Sequence, residues 1–234
     1  MKLLSSKIKT LLDLGFFEFF IVILYRVMIK LGCHPVCKIK SAIPNGPFFE
    51  KSRLLESSLP ALSDWDTTGR LFSHLKIDLE DEPPCWLKNP INGDEFPSQR
   101  VPWWKISDFD DSIGDIKLVW EQSRMNWVVA FAQRARNGDS RSLDRLNLWL
   151  SDWLDSNPPY LGPNWKCGQE ASIRVIHLCS AALILGQERG SLLGLQDLIR
   201  LHLRRIAPTI HYAIAQNNNH GTSEAAALFI GGSW

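Results

Sequence analysis

The chain has no excess of charge of either sign. It carries 26 basic and 25 acidic side chains, so no strong field directs it to nucleic acid or to an anionic membrane surface. Cysteine is scarce. Cys33, Cys37, Cys85, Cys167 and Cys179 are odd in number and far apart, which excludes a disulfide framework. Cys33-His34-x-x-Cys37 is half of a metal-ligand spacing, but no second pair follows at finger-like distance, so neither a metal nor another cofactor is expected. Long hydrophobic runs are missing too. The apolar stretch at residues 19–25 is too short to span a bilayer, Asp13 and Glu18 interrupt the run around it, and no small-residue cleavage site follows. No transmembrane segment and no convincing signal peptide are therefore expected. No fixed-length repeat is visible, which argues against the common repeat solenoids.

What the sequence does have is 45% apolar residues and ten tryptophans against three tyrosines. That is enough for one sizeable core, with most of the indoles expected inside it. The chain divides into three parts: a helix within residues 1–32, an irregular arm with short strands over 33–112, and a helical body over 113–234. Lys2, Lys7 and Lys9 precede the apolar run, and the first helix is read over residues 8–31. Asp13 and Glu18 favour packing on the body over a lipid-facing position. The arm is dense in turn signals ("IPNGP", "DEPPCW", "RVPWW"), with a short strand expected within residues 70–79.

In the body the apolar spacing is helical throughout. A first helix is read over residues 115–139, stopped by Asn137-Gly138. A second follows, with Leu143, Leu146, Trp149, Leu150, Trp153 and Leu154 on one face, ended by Pro158-Pro159. A third is read over 168–190 and a fourth over 191–206. A fifth opens at Pro208, and a sixth is capped by Thr222 or Ser223 with Glu224 in its first turn. Short links between helices imply antiparallel neighbours, so the fold class is all-α, with a bundle, a solenoid or an α/α toroid as the possible arrangements.

Two segments concentrate polar side chains at helix junctions. In "SNPPYLGPNWKCGQEASIRVIHL", a loop with Trp165 leads into a helix opened by Gln169 and Glu170. Glu170 and Arg174 stand four apart, so a helix-surface ion pair competes with a reading as the wall of a cleft. Glu121 and Arg124 present the same choice one helix earlier. In "QNNNHGTSEAA", three asparagines and a histidine sit where amides compete with the helix for backbone hydrogen bonds. They form either a capping loop or a set of donors at a helix N-terminus, a place suited to an anion such as a carboxylate.

These two segments, in this order, resemble the heparinase II/III family of polysaccharide lyases. "KLVWEQSRMNWVVAFAQ" and, more loosely, "VPWWKISDFD" extend the likeness over residues 65–234. The resemblance implies an α/α toroid, incomplete here, followed by a β-rich domain, with an acidic polysaccharide in the cleft between them. It also implies β-elimination on a uronic acid. Asn219 matches the asparagine that contacts the carboxylate, and His220 the adjacent base or substrate-orienting histidine. Asn218, Trp165, Glu170 and Arg124 are expected in the cleft, with Glu224 orienting His220. The family's acid, a tyrosine, lies well downstream of this motif. The chain is accordingly expected to be the N-terminal part of such a lyase, without the β domain and inactive alone. Relatives are often periplasmic or secreted. The alternative is a non-catalytic carbohydrate-binding or polysaccharide-biosynthesis protein.

Overall fold

The apolar spacing of the body becomes helices gathered around a central one. A computed structural model describes residues 15–50, 68–79, 82–97, 100–110 and 114–234, and among these the protein is mostly helical. Helix α1 covers Phe16–Lys30. The arm contributes two small antiparallel ladders, Arg70–Leu71 with Leu75–Lys76 (β1, β2) and Phe109–Asp110 with Gly114–Asp115 (β3, β4). The body consists of α2 (Lys117–Trp120), α3 (Asn126–Arg136), α4 (Ser140–Ser156), α5 (Gly168–Ile184), α6 (Leu193–Ile206), α7 (Ile210–Ala215) and α8 (Asn219–Gly232). Residues 8–14 of the first expected helix lie outside the described residues.

Helix α4 shows how the local rules combine. Asp139 caps it, accepting from the Arg141 N–H at 3.1 Å and from the Ser142 hydroxyl at 2.7 Å. The stripe from Leu143 to Leu154 is buried. Helix α5 is central and packs on α3, α6 and α8. Its Ala171, Val175, Leu178, Cys179 and Ala182 are buried, the small residues letting neighbouring helices approach.

The arm is fastened to this body by amide side chains. Asn147 on α4 accepts from the Phe48 and Phe49 N–H groups and donates to the Phe49 carbonyl, an exchange like that of a strand partner. Gln187 does the same for Glu50. A Cβ at Gly194 would stand 2.5 Å from the Asn45 carbonyl oxygen, so only glycine lets the arm cross the start of α6.

Three helix boundaries differ from expectation. The helix expected over 115–139 is interrupted: α2 runs into a 3-10 turn (Glu121–Arg124), and Met125 takes a left-handed conformation with φ 63° before α3 begins. The carbonyls of Gln122, Ser123 and Arg124 leave the helical ladder and meet the Trp127 indole, the Arg174 guanidinium and the His177 ring instead. Tertiary partners thus replace the bonds that periodicity alone predicts. Helix α5 ends at Ile184, where Gly186 turns left-handed with φ 67°, and does not continue to residue 190. Helix α8 is capped by Asn218, so Thr222, Ser223 and Glu224 lie inside it.

Candidate functional site

The run Asn217-Asn218-Asn219-His220 joins α7 to α8, and each asparagine has a different place. Asn217 is left-handed, φ 49°, a conformation asparagine tolerates better than most residues. Asn218 is the cap, its side-chain oxygen accepting from the His220 N–H at 2.9 Å. Asn219 is exposed at the first helical position. His220 and Glu224, four apart, fall on the same face.

His220 is half-buried, and its Nδ1 stands 3.5 Å from Oε1 of the buried Glu224. That is long for a hydrogen bond. Oε2 of Glu224 is buried and has no hydrogen-bond partner. The carboxylate fits because Gly168, at the start of α5, has no side chain: a Cβ there would meet it at 2.6 to 2.8 Å.

His220 and Glu224 line a cleft of about 600 Å³ between α1 and the C-terminal helices. Tyr25 of α1 stacks on Tyr212 of α7, with ring centroids 3.8 Å apart and planes 17° from parallel. Burial, opposed by the nearby Arg205, pushes the Tyr25 phenol up to about 12, so it remains a hydrogen-bond donor at neutral pH. Trp103, Trp104 and Trp120 line the cleft as well, Trp104 being the most open of the three. Arg205 is buried, its guanidinium carbon 3.8 Å from the centre of the Trp103 ring. It donates to the carbonyls of Trp165 and Lys166 and, at 3.4 Å, to the Thr209 hydroxyl. All three hydrogen-bond partners are neutral, and Glu224 offsets the charge only through space. Arg26, Lys30 and Lys166 add positive charge, against Asp108 and Glu224.

The other expected residues stand elsewhere. Arg124 grips Glu170 with two parallel bonds of 2.9 Å and reaches Glu121 at 2.6 Å. Glu121 also accepts from the Phe72 N–H of the arm. This network ties α5, the 3-10 turn and the arm together, and neither Arg124 nor Glu170 lines the cleft. The surface pair of Glu170 with Arg174 does not form, because Arg174 points into the core and donates to Nε2 of His202. Trp165 is fully buried, its indole N–H bonded to the Asn157 carbonyl. An indole with no open face offers a sugar no platform; of the three indoles that line the cleft, Trp104 alone is partly exposed. Asn218 and Asn219 sit beside the cleft, not among its lining residues.

Sequence reasoning missed Tyr25, Arg26, Lys30 and Arg205. Tyr25, Arg26 and Lys30 are far from the asparagine motif in sequence and come near it through the docking of α1 on α7, whereas Arg205 comes from α6, which packs on α8. The paired indoles of "VPWW" were the one local signal of this wall.

No protein-family model, no curated protein and no solved structure matches the chain. Among the described residues, no group of three or more His, Cys, Asp or Glu side chains is placed to hold a metal ion, and no helix is long and apolar enough to cross a membrane. The His34 ring accepts from the Val36 N–H, capping a 3-10 turn over Pro35–Lys38.

Proposed function

We propose that the cleft binds a uronate-containing acidic polysaccharide, and that the chain is the helical part of a heparinase II/III-like lyase acting by β-elimination. The successive helices are read as antiparallel pairs of an α/α toroid. The observation that carries the proposal is the cleft's composition: a histidine backed by a buried carboxylate, beside indoles and the guanidinium of Arg205, whose hydrogen-bond partners are all neutral. Indole faces suit sugar rings, and a cation in a partly desolvated cleft attracts a carboxylate more strongly than it does in water.

The chemistry follows from the substrate. The proton on C5 of a uronate is weakly acidic because the adjacent carboxylate is already charged, and removing it adds negative charge there. As the proton leaves C5, the bond from C4 to the glycosidic oxygen breaks, a C4–C5 double bond forms and the departing oxygen takes up a proton. Donors aimed at the carboxylate speed this step when they bind best as the charge develops. Asn219 is the amide proposed for that contact, and His220 the group that receives the C5 proton. With Glu224 on its Nδ1 side, the ring's Nε2 is left for the substrate.

The test is calorimetric titration of the chain with uronate oligosaccharides and with neutral oligosaccharides of equal length. Tighter binding of the uronates, weakened about tenfold or more by His220→Ala, supports the proposal; equal binding of both, or none, overturns it. Ultraviolet absorbance of the unsaturated product then separates the two readings. Turnover in any form containing this chain identifies the lyase. Binding without turnover in every such form leaves the non-catalytic carbohydrate-binding protein.

A further inference from the structure

The outer face of α1 is apolar and, among the described residues, uncovered. Phe16, Phe17, Phe20, Ile23, Leu24, Val27 and Leu31 are each between 43% and 81% exposed. Their spacing places them within roughly a third of the helix circumference, at about 100° per residue. The opposite side is used: Val22 is buried, Tyr25 stacks on Tyr212, and Ile29 packs against the core. This helix therefore has two apolar sides, one facing the body and one facing out. Contiguous exposed apolar faces mark interaction sites.

Charge indicates what covers the stripe. The first 40 residues carry seven basic and two acidic side chains, and the remaining 194 carry 19 and 23. The chain's overall balance conceals a basic end. Arg26 and Lys30 are exposed along one border of the stripe, and Lys38 and Lys40 are exposed just beyond it. Of the two acids that argued against a lipid-facing helix, Glu18 sits on the inward side, folded over Gly15, and Asp13 lies outside the described residues. A second copy of the chain docked on the stripe would bring these cations against their own equivalents. An anionic lipid surface instead complements both features, taking the aromatic stripe into its acyl boundary and the cations at its headgroups.

We propose that α1 seats the protein on an anionic membrane surface, with the stripe from Phe16 to Leu31 inserted at the interface and Arg26 and Lys30 at headgroup level. Because those two cations also line the cleft, its mouth opens beside the bilayer. This inference is independent of what the cleft binds.

The experiment is vesicle flotation of the full chain. The probes are vesicles of phosphatidylglycerol mixed with phosphatidylcholine, and vesicles of phosphatidylcholine alone. The expected result is partition into the anionic vesicles at least tenfold above the neutral ones, falling as salt is raised. Replacing Phe16, Phe17 and Phe20 together by serine should remove most of it with an unchanged far-ultraviolet dichroism spectrum, since these side chains are 58% to 81% exposed. Val27→Lys is the milder variant, expected to weaken partition several-fold. The proposal is overturned by absence of partition, by equal partition into both vesicle types, or by partition that the substitutions leave unchanged. It is also overturned if their sole effect is to dissociate a dimer in sedimentation equilibrium, which would make a second copy the occupant.

Discussion

Arg174 and Arg205 lie in neighbouring parts of the body, both buried, both near indoles, both bonded to neutral partners. Arg174 is closed in. It donates to Nε2 of His202 at 3.0 Å and to the carbonyls of Asn164 and Ser123, with the rings of Trp153 and Trp165 at 5.2 and 5.5 Å. Arg205 has the same kinds of partner on one side and the cleft on the other. The difference is which sides are filled. An enclosed guanidinium specifies how four segments pack; one that borders a cleft also projects its charge into a space a ligand can enter. Burial lowers the Arg174 pKa to about 10, which still leaves it charged at neutral pH. Its neighbour His202 is held neutral: Nδ1 donates to the Leu198 carbonyl, Nε2 accepts from Arg174, and burial together with that charge pushes the ring down to about 3.

The largest effect should come from emptying the enclosed position. Arg174→Met strands three acceptors in a dry core and is expected to cost about 3–5 kcal/mol in urea unfolding. Arg205→Met also strands acceptors, but beside a cleft that water can enter, so about 1–2 kcal/mol is expected. Equal costs would break the comparison between the two sites.

Acid should act on the enclosed site next. His202 has an ordinary value of 6.5 and a folded value of about 3, so the unfolded chain takes up a proton that the native core refuses. Its contribution is complete above 6.5 and is lost progressively as the pH falls toward 3. The slope is at most about 1.4 kcal/mol per pH unit, or about 2 kcal/mol between pH 7 and pH 5. His177, also lowered by burial, acts in the same direction. His202→Gln keeps an acceptor for Arg174 and removes a titrating group, so unfolding measured at both pH values should show a shallower loss.

The contrast between these sites also marks what was readable from sequence. Leu143 to Leu154 announced α4 because a helix repeats locally, and Asn137-Gly138 announced the end of α3 for the same reason. The break at Met125 was not readable: it depends on Trp127, Arg174 and His177 reaching carbonyls, two of them from a helix about fifty residues away. Glu170 and Arg124 were both singled out, yet their bond to each other was not, because Arg174 stood at the nearer helical spacing. Glu224 was expected behind His220 only through the family resemblance, because a helix capped by Thr222 or Ser223 leaves His220 outside it; the cap at Asn218 is what puts both on one face. The opposite wall of the cleft, built from α1, carries no local mark of its partner.

On the cleft side, Gly168→Ala should separate function from stability. The new Cβ meets the end of a flexible side chain, so the Glu224 carboxylate moves and the fold survives at a cost under about 1 kcal/mol. Without that carboxylate behind His220, uronate affinity is expected to fall about tenfold in calorimetry, equivalent to about 1.4 kcal/mol. Unchanged affinity would mean that Glu224 only fills space.

The smallest effects belong to the asparagine run, and they divide it residue by residue. Asn218→Ala removes the acceptor for the His220 N–H and should cost about 1 kcal/mol of thermal stability, loosening the turn that presents His220. Asn217→Gly should change stability by only about a few tenths of a kcal/mol, since glycine takes the left-handed conformation freely and the relief of strain offsets its entropy. Asn219→Ala, at an exposed first helical position, should leave the melting temperature nearly unchanged. That silence makes it informative. A uronate affinity lost in Asn219→Ala cannot be blamed on the fold, whereas the same loss in Asn218→Ala can. Three identical neighbours thus separate a cap, a turn and a proposed ligand contact, a division the enclosed Arg174 site does not permit, because there every substitution also reads out as stability.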